Sequence, residues 1–513
     1  MNPLEALLAK NFHVPLVGNE ISRLAVNHIA ARTPPRPRLY SLWSHVAKPA
    51  TGEGPVSDYT SWPSLTDRKY SGRHLPPADP VQVAALPDIN QVTALFKRQG
   101  PMVPGRSSIL FMFFAQWFTD SVLRVDTTDR RRNTSNHEVD LCQIYGLDEA
   151  TTRILRSGAG GRLRCQDIGG ESFLDYLHHQ DPDGQWHIKP EYENLPYTKN
   201  LDVIFKDFGD DRRHKAYATG LERGNSTIGY VAISTLFMRE HNRICGELAK
   251  AEPAWDDELL FQTARMINIV LLLKVIIEDY INHIVGAKIF RFDTGFAERQ
   301  DWYRANWIAI EFDLLYRWHS LVPDAIVVDG ATLSSEEFRN NNALVESVGL
   351  AGLFGQLSTQ AAGRIGLRNS PSFLMPAERA ALDMSRNFRL APYNAYRERF
   401  GLAPLGDLRA LAGDDADTLQ ALQAVYTDIN EVEFLVGIFA EDRNAPSLFG
   451  DLLNTMVAYD AFTQIFTNPL LSRNVYSAGT LTSYGLSLID ATSSVADIAG
   501  RNMAGSVTAS LGV

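Results

Sequence analysis

Residues 107–123, SSILFMFFAQWFTDSVL, are apolar on nearly every side, which predicts a buried helix. Gln116 and Asp120 interrupt it four residues apart, and so on one helical face. A buried carboxylate is costly unless it is paired or neutral. The two side chains therefore either satisfy each other or face a polar cavity. Residues 226–250 predict a long helix with Ser226 as its cap. Residues 256–285 predict a second, opened by Asp256, Asp257 and Glu258, whose charges suit the start of a helix dipole. A third helix is predicted over 301–319, with Pro323 as a stop just beyond. Further helical segments fall around 334–361, 377–388, 416–428 and 446–466. Strand signals are scarce. The pattern predicts a mainly α fold, a large helical domain with little β, in which the long helices share one core.

The first 32 residues carry short amphipathic pieces: Leu4, Leu7 and Leu8, then Ile21, Leu24, Ala25 and Ile29. This reads as a first core helix or a helix lying on a membrane surface. Residues 33–105 are rich in Pro and Gly and read as extended covering segments. Residues 124–225 are polar with Gly-rich turns. Their Gly-Ala-Gly-Gly run lacks the strand-then-helix setting of a phosphate loop. The division drawn from this is a covering segment at 1–40, with membrane-surface character, and one catalytic domain at 41–513.

Composition narrows the classes. The 513 residues carry 49 basic and 60 acidic side chains, which argues against a general nucleic-acid binder. Three scattered cysteines, Cys142, Cys165 and Cys245, encode neither a disulfide framework nor a zinc site. The N-terminal stretch lacks the charge-then-apolar pattern of a signal peptide. The longest apolar run, 267–277, is interrupted by Lys274 and is too short to span a bilayer. A cytoplasmic protein, with or without peripheral membrane contact, is expected.

Candidate chemistry centres on Tyr316-Arg317-Trp318-His319. On a helix Tyr316 and His319 would share a face. An imidazole can ligate a metal and a phenol can be oxidised. An isolated Y-x-x-H is nevertheless more often a buried pair satisfied by local hydrogen bonds. Haem binding needs one axial imidazole, an apolar slot and distal polar groups. Only His241 and His319 lie within strongly helical patterns, and periodicity does not choose between them.

The 226–330 region resembles the animal-type haem peroxidase superfamily, in particular prostaglandin endoperoxide synthases and related fatty-acid dioxygenases. The matching pieces are Thr235-Leu-Phe-Met-Arg239-Glu240-His241-Asn242-Arg243, Trp255-x-x-Glu258-x-Leu260-Phe-Gln262 and Glu311-Phe312-x-x-Leu315-Tyr316-x-Trp318-His319-x-Leu321-x-Pro323. Phe113-Phe114-Ala115-Gln116-x-Phe118-Thr119 resembles the distal helix, and Val139-Asp140-Leu141-x-x-Ile144-Tyr145-Gly146 the segment after it. Ala362-Gly363-Arg364-Ile365-Gly366, the Pro392–Gly401 segment and Phe449-Gly450 follow in order, so the likeness holds over roughly 105–470. The disulfide-rich module of the animal synthases is absent.

The resemblance implies a haem b cofactor with His319 as proximal ligand and Trp318 beside it. It implies that Tyr316 becomes a tyrosyl radical, which takes a hydrogen atom from a fatty acid before O2 adds. It places Gln116 on the distal side and leaves His241 structural. The main departure is Asp120, which stands where the family has its distal histidine. Arg223 resembles a distal arginine or is a loop arginine. For substrate, Arg32 falls near the carboxylate-binding arginine, Ser347 near a carboxylate-binding tyrosine, and Ala461 near the channel serine. The Asn136–Cys142 loop lacks a convincing set of calcium ligands. Three activities stay open: a fatty-acid dioxygenase using Tyr316 and peroxide, a haem peroxidase of small donors or halide, and a repurposed haem protein of weak peroxidase activity. A homodimer is compatible with each, as is another lipophilic substrate.

Overall fold

The computed structural model describes residues 14–31, 40–41, 69–443 and 446–513. Helices dominate, and each pairing of named strands is a two-stranded antiparallel sheet. Leu4, Leu7, Leu8 and Arg32 lie outside the described residues. The first described helix, α1, is Pro15–Ala30. It packs on the helix Asp451–Phe466. Its inner face is Ser22, Val26 and Ala30, four apart, while Leu24 is 68% exposed. Ser22 and Val26, not Leu24, therefore mark the inward stripe.

The buried helix α2 is Ile109–Thr119, capped by the Ser108 hydroxyl, which accepts from the Phe111 N–H at 3.1 Å. Two long helices follow. α3, Ile228–Ala251, is capped by Thr227 and not by Ser226: the Thr227 hydroxyl accepts from the Tyr230 N–H. α4, Asp257–Val275, is capped by Asp256 and runs on through a π turn at Ile276–Ile281 to Val285. Each fully buried large apolar side chain in these helices contributes roughly 1.5–3 kcal/mol.

The stretch Asp257–Val285 is long and apolar enough to cross a membrane, unlike the shorter run read from sequence, but most of it is buried among its neighbours. Lys274, which breaks that run, donates its ammonium to the carbonyls of Ile489 and Asp490 at 2.8 and 3.0 Å. It thereby caps the C-terminal end of the helix Ala478–Asp490, where a cation is favoured.

Two glycines let the site-bearing segments close up. A Cβ at Gly229 of α3 would fall 2.1 Å from the Phe113 ring of α2. With hydrogen there, α2 and α3 approach closely, and the Trp117 indole donates to Ser234 at 2.9 Å. A Cβ at Gly363 would meet the Ser320 carbonyl at 2.0 Å. Gly363 lies in the strand Ala361–Gly363, which pairs with Pro104–Ser108, the strand leading into α2. The segment after His319 is thus seated on the sheet that also sets α2.

The predicted 301–319 helix is corrected. The helix here, α5, is only Ile310–Leu315, and His319 opens a separate short 3-10 turn, His319–Leu321. The cause is local. In a continuing helix the Leu315 carbonyl would accept from the His319 N–H. Instead it accepts from the Trp318 indole N–H at 2.6 Å.

Candidate functional site

Although they do not share one helix, Tyr316 and His319 line a single cavity of about 350 Å³. Trp318, Gln116, Asp120 and Arg223 line it too, so α2 and the α3 entry face the segment after α5 across it. Met112, Phe113, Leu123, Phe338 and Leu374 supply apolar wall. Trp318 packs on Tyr316 at 4.7 Å and on Phe449 at 5.0 Å, and lies nearly parallel to the Phe111 ring at 6.2 Å. These ring contacts join the segment after α5 to α2.

Gln116 and Asp120 do not satisfy each other. The Gln116 carbonyl oxygen accepts from the Thr227 hydroxyl at 3.3 Å. Asp120 caps the end of α2, is 6% exposed, and accepts from the Tyr230 hydroxyl at 2.9 Å. The Arg223 guanidinium lies 3.5 Å from its other oxygen, Oδ1, and Arg124 lies 3.9 Å from Oδ2. Burial pushes the Asp120 carboxyl above the usual carboxylate range, while Arg223 and Arg124 pull against it. Arg223 is 65% exposed, so it stands at the mouth with its head on Asp120. Arg124 is itself paired to Glu222 at 2.8 Å.

On the opposite wall, burial and then the Asp460 charge push the Tyr316 phenol upward, which keeps it protonated. The Tyr280 hydroxyl, on the π turn, is buried without a hydrogen-bond partner and senses Tyr316 electrostatically. His319 Nδ1 lies 3.1 Å from Glu378 Oε2, without the alignment of a formed hydrogen bond. Glu378 is 1% exposed, on the first turn of the helix Met375–Asn387. With Nδ1 turned to Glu378, Nε2 is the nitrogen left for the cavity.

His241 is excluded as a ligand. Its Nδ1 is 2.8 Å from the Tyr145 hydroxyl and its Nε2 2.8 Å from the Gly161 carbonyl. Burial lowers it to about 4, so it stays neutral. It ties α3 to the helix Cys142–Tyr145 and to the turn at Gly161. Ser347 sits on the short helix Asn342–Val348, exposed, with its hydroxyl donating to the Leu344 carbonyl. Ala461 is buried within Asp451–Phe466. Neither lines this cavity. Tyr230, Tyr280 and Glu378 were not singled out in the sequence. Glu378 reads there as a first-turn acid suited to a helix start, and nothing ties it to a histidine 59 positions earlier.

The residues fit a haem. One imidazole has a free Nε2, the slot between the walls is apolar, and the far wall carries a glutamine and a carboxyl group. His319 would hold the iron, with Trp318 beside it. Such a layout, a ligating imidazole set against acid–base groups across an apolar slot, defines a haem-peroxidase-type oxidoreductase.

The family model of the animal haem peroxidases matches residues 96–509. The chain is 30% identical over 436 residues to prostaglandin G/H synthase 2 of Equus caballus, covering 82% of this chain and 68% of that protein. Among solved structures, the fatty acid alpha-dioxygenase of Oryza sativa superposes with a TM-score of 0.69 at 18% identity, over 84% of this chain and 80% of that one. Peroxidase A from Dictyostelium discoideum gives 0.65 at 19% identity, over 83% and 91%. The chain belongs to the animal haem peroxidase family.

Proposed function

We propose that this protein is a haem-dependent dioxygenase that converts a polyunsaturated fatty acid to a hydroperoxide through a radical on Tyr316. One observation carries the reading: Tyr316 and His319 line the same cavity as Gln116 and Asp120. The names of a relative, prostaglandin G/H synthase 2, and of a structure with the same fold, a fatty acid alpha-dioxygenase, support a fatty-acid substrate. A bound haem, of the b type by the resemblance, supplies the one-electron oxidant made from peroxide.

The chain's own residues do the rest. Asp120, while ionised, accepts the proton that peroxide loses and returns it to the departing oxygen, a general acid–base role. Its raised affinity for protons suits that exchange. Gln116, beside it, orients the same oxygen. Tyr316 gives up one electron and its phenolic proton. The phenoxyl then takes a hydrogen atom from a C–H bond flanked by double bonds, which restores the phenol and leaves a carbon radical. O2 adds to that carbon. The peroxyl radical takes the phenolic hydrogen back, so substrate and O2 leave as one hydroperoxide and the radical on Tyr316 is renewed. Packing by Phe312 and Trp318 holds the ring.

The test is incubation of haem-loaded protein with linoleate and arachidonate under isotope-labelled O2 and under anaerobic conditions. The reading expects a product carrying both labelled atoms only in the aerobic arm. Oxidation of small phenolic donors with no lipid product would replace it by a peroxidase.

A further inference from the structure

Behind the cleft lies a buried carboxylate that the proposed chemistry does not use. Glu378 is 1% exposed. Its Oε1 accepts from the Ser370 hydroxyl at 2.6 Å. Ser370 is itself pinned: its N–H donates to the Phe96 carbonyl at 2.9 Å, and its carbonyl accepts from the Arg98 N–H at 2.8 Å. The carboxylate is therefore set from the backbone of two chain segments. Its other oxygen, Oε2, has no hydrogen-bond partner, and neither does His319 Nδ1. The two atoms are 3.1 Å apart. A small rotation of either side chain satisfies both, and burial penalises leaving either unmet.

We propose that Glu378 is a positioning residue for His319: its carboxylate takes the Nδ1–H, directs Nε2 into the cleft and places negative charge behind the iron ligand. This rests on the reading of His319 as the haem ligand. A ring whose second nitrogen donates to a carboxylate has its tautomer and orientation fixed, and is a stronger electron donor to the metal. Donation of that kind favours ferric over ferrous iron, so Glu378 lowers the midpoint potential of the bound haem. The hydroxyl of Ser370 moderates this by sharing the carboxylate's charge.

The test compares haem-loaded full-length wild type, Glu378→Gln and Ser370→Ala. The readouts are the ferric/ferrous midpoint potential by spectroelectrochemistry and the ferrous iron–imidazole stretch by resonance Raman. Glu378→Gln keeps shape and removes charge, so the midpoint rises and the stretch falls. Ser370→Ala leaves the charge unshared, so both move the opposite way. A purely structural carboxylate moves neither quantity. Unchanged values in both haem-binding variants overturn the proposal. Should Glu378→Gln not fold, Ser370→Ala decides it alone. A wild type with no haem Soret band overturns the haem reading itself, and this inference with it.

Discussion

The Trp318 indole N–H donates to the Leu315 carbonyl at 2.6 Å, and that bond takes the acceptor a continuing helix would have given to the His319 N–H. The chain therefore leaves the helix at Tyr316, before it reaches His319. Both side chains still reach one cavity, but through a turn that Trp318 sets. Trp318→Phe keeps an aromatic ring at this position and removes the donor. It costs about 1–3 kcal/mol for the carbonyl left unmet. Haem titration followed at the Soret band is expected to give weaker binding, with lower thermal stability of the apo-protein.

The two helical-pattern histidines are expected to behave oppositely. His319→Ala should lose haem and retain the fold. His241→Ala should retain haem and lose stability. The Tyr145 hydroxyl and the Gly161 carbonyl both lose their partner in that variant, at about 1–3 kcal/mol each. Absorbance spectra and thermal melts of the two variants check this.

Asp120 sets a pH limb. Its carboxyl is raised by burial, and it must be ionised to accept a proton from peroxide. Peroxide turnover should therefore climb with pH through a midpoint above the ordinary carboxylate range. Asp120→Asn should remove that limb and lower the rate by roughly 10²–10⁴-fold. The stability sign follows from the same shift. The unfolded chain ionises Asp120 at its ordinary value, while the fold holds the proton to higher pH. Its contribution is complete below the ordinary value and is lost as pH rises through the raised one. Melting temperatures of wild type and Asp120→Asn should accordingly diverge on the alkaline side, in favour of the variant.

Gly229→Ala tests the close approach of α2 and α3. The added methyl would meet the Phe113 ring, and overpacking of this kind costs about 1–3 kcal/mol. Chemical denaturation should report that loss, with reduced peroxide turnover because Asp120 and its Tyr230 partner sit on these two helices.

The helical core was legible because its signals are local. The apolar run 107–123 and the acidic opening at 256–258 each lie within one segment, and each yields a helix, Ile109–Thr119 inside the first and Asp257–Val275 from the second. The end of α5 was not legible, since a side-chain donor overrides a periodic pattern that continues past it. The partners Tyr230 and Glu378 were not legible either. Tyr230 lies 110 positions from Asp120 and Glu378 59 from His319, so only the folded chain brings them together. The helix Val495–Asn502 was missed although its Ser494–Asp497 capping box is a local sign, because its stretch is short and rich in small residues.

The most direct measurement is O2 incorporation into a polyunsaturated fatty acid by haem-loaded Tyr316→Phe, run beside wild type at equal Soret absorbance. The phenolic hydroxyl is the only group removed, and the ring remains to pack against Phe312 and Trp318. Expected are unchanged haem binding, peroxide cleavage near the wild-type rate, and labelled hydroperoxide reduced to background. Labelled hydroperoxide formed at the wild-type rate by this variant would contradict it.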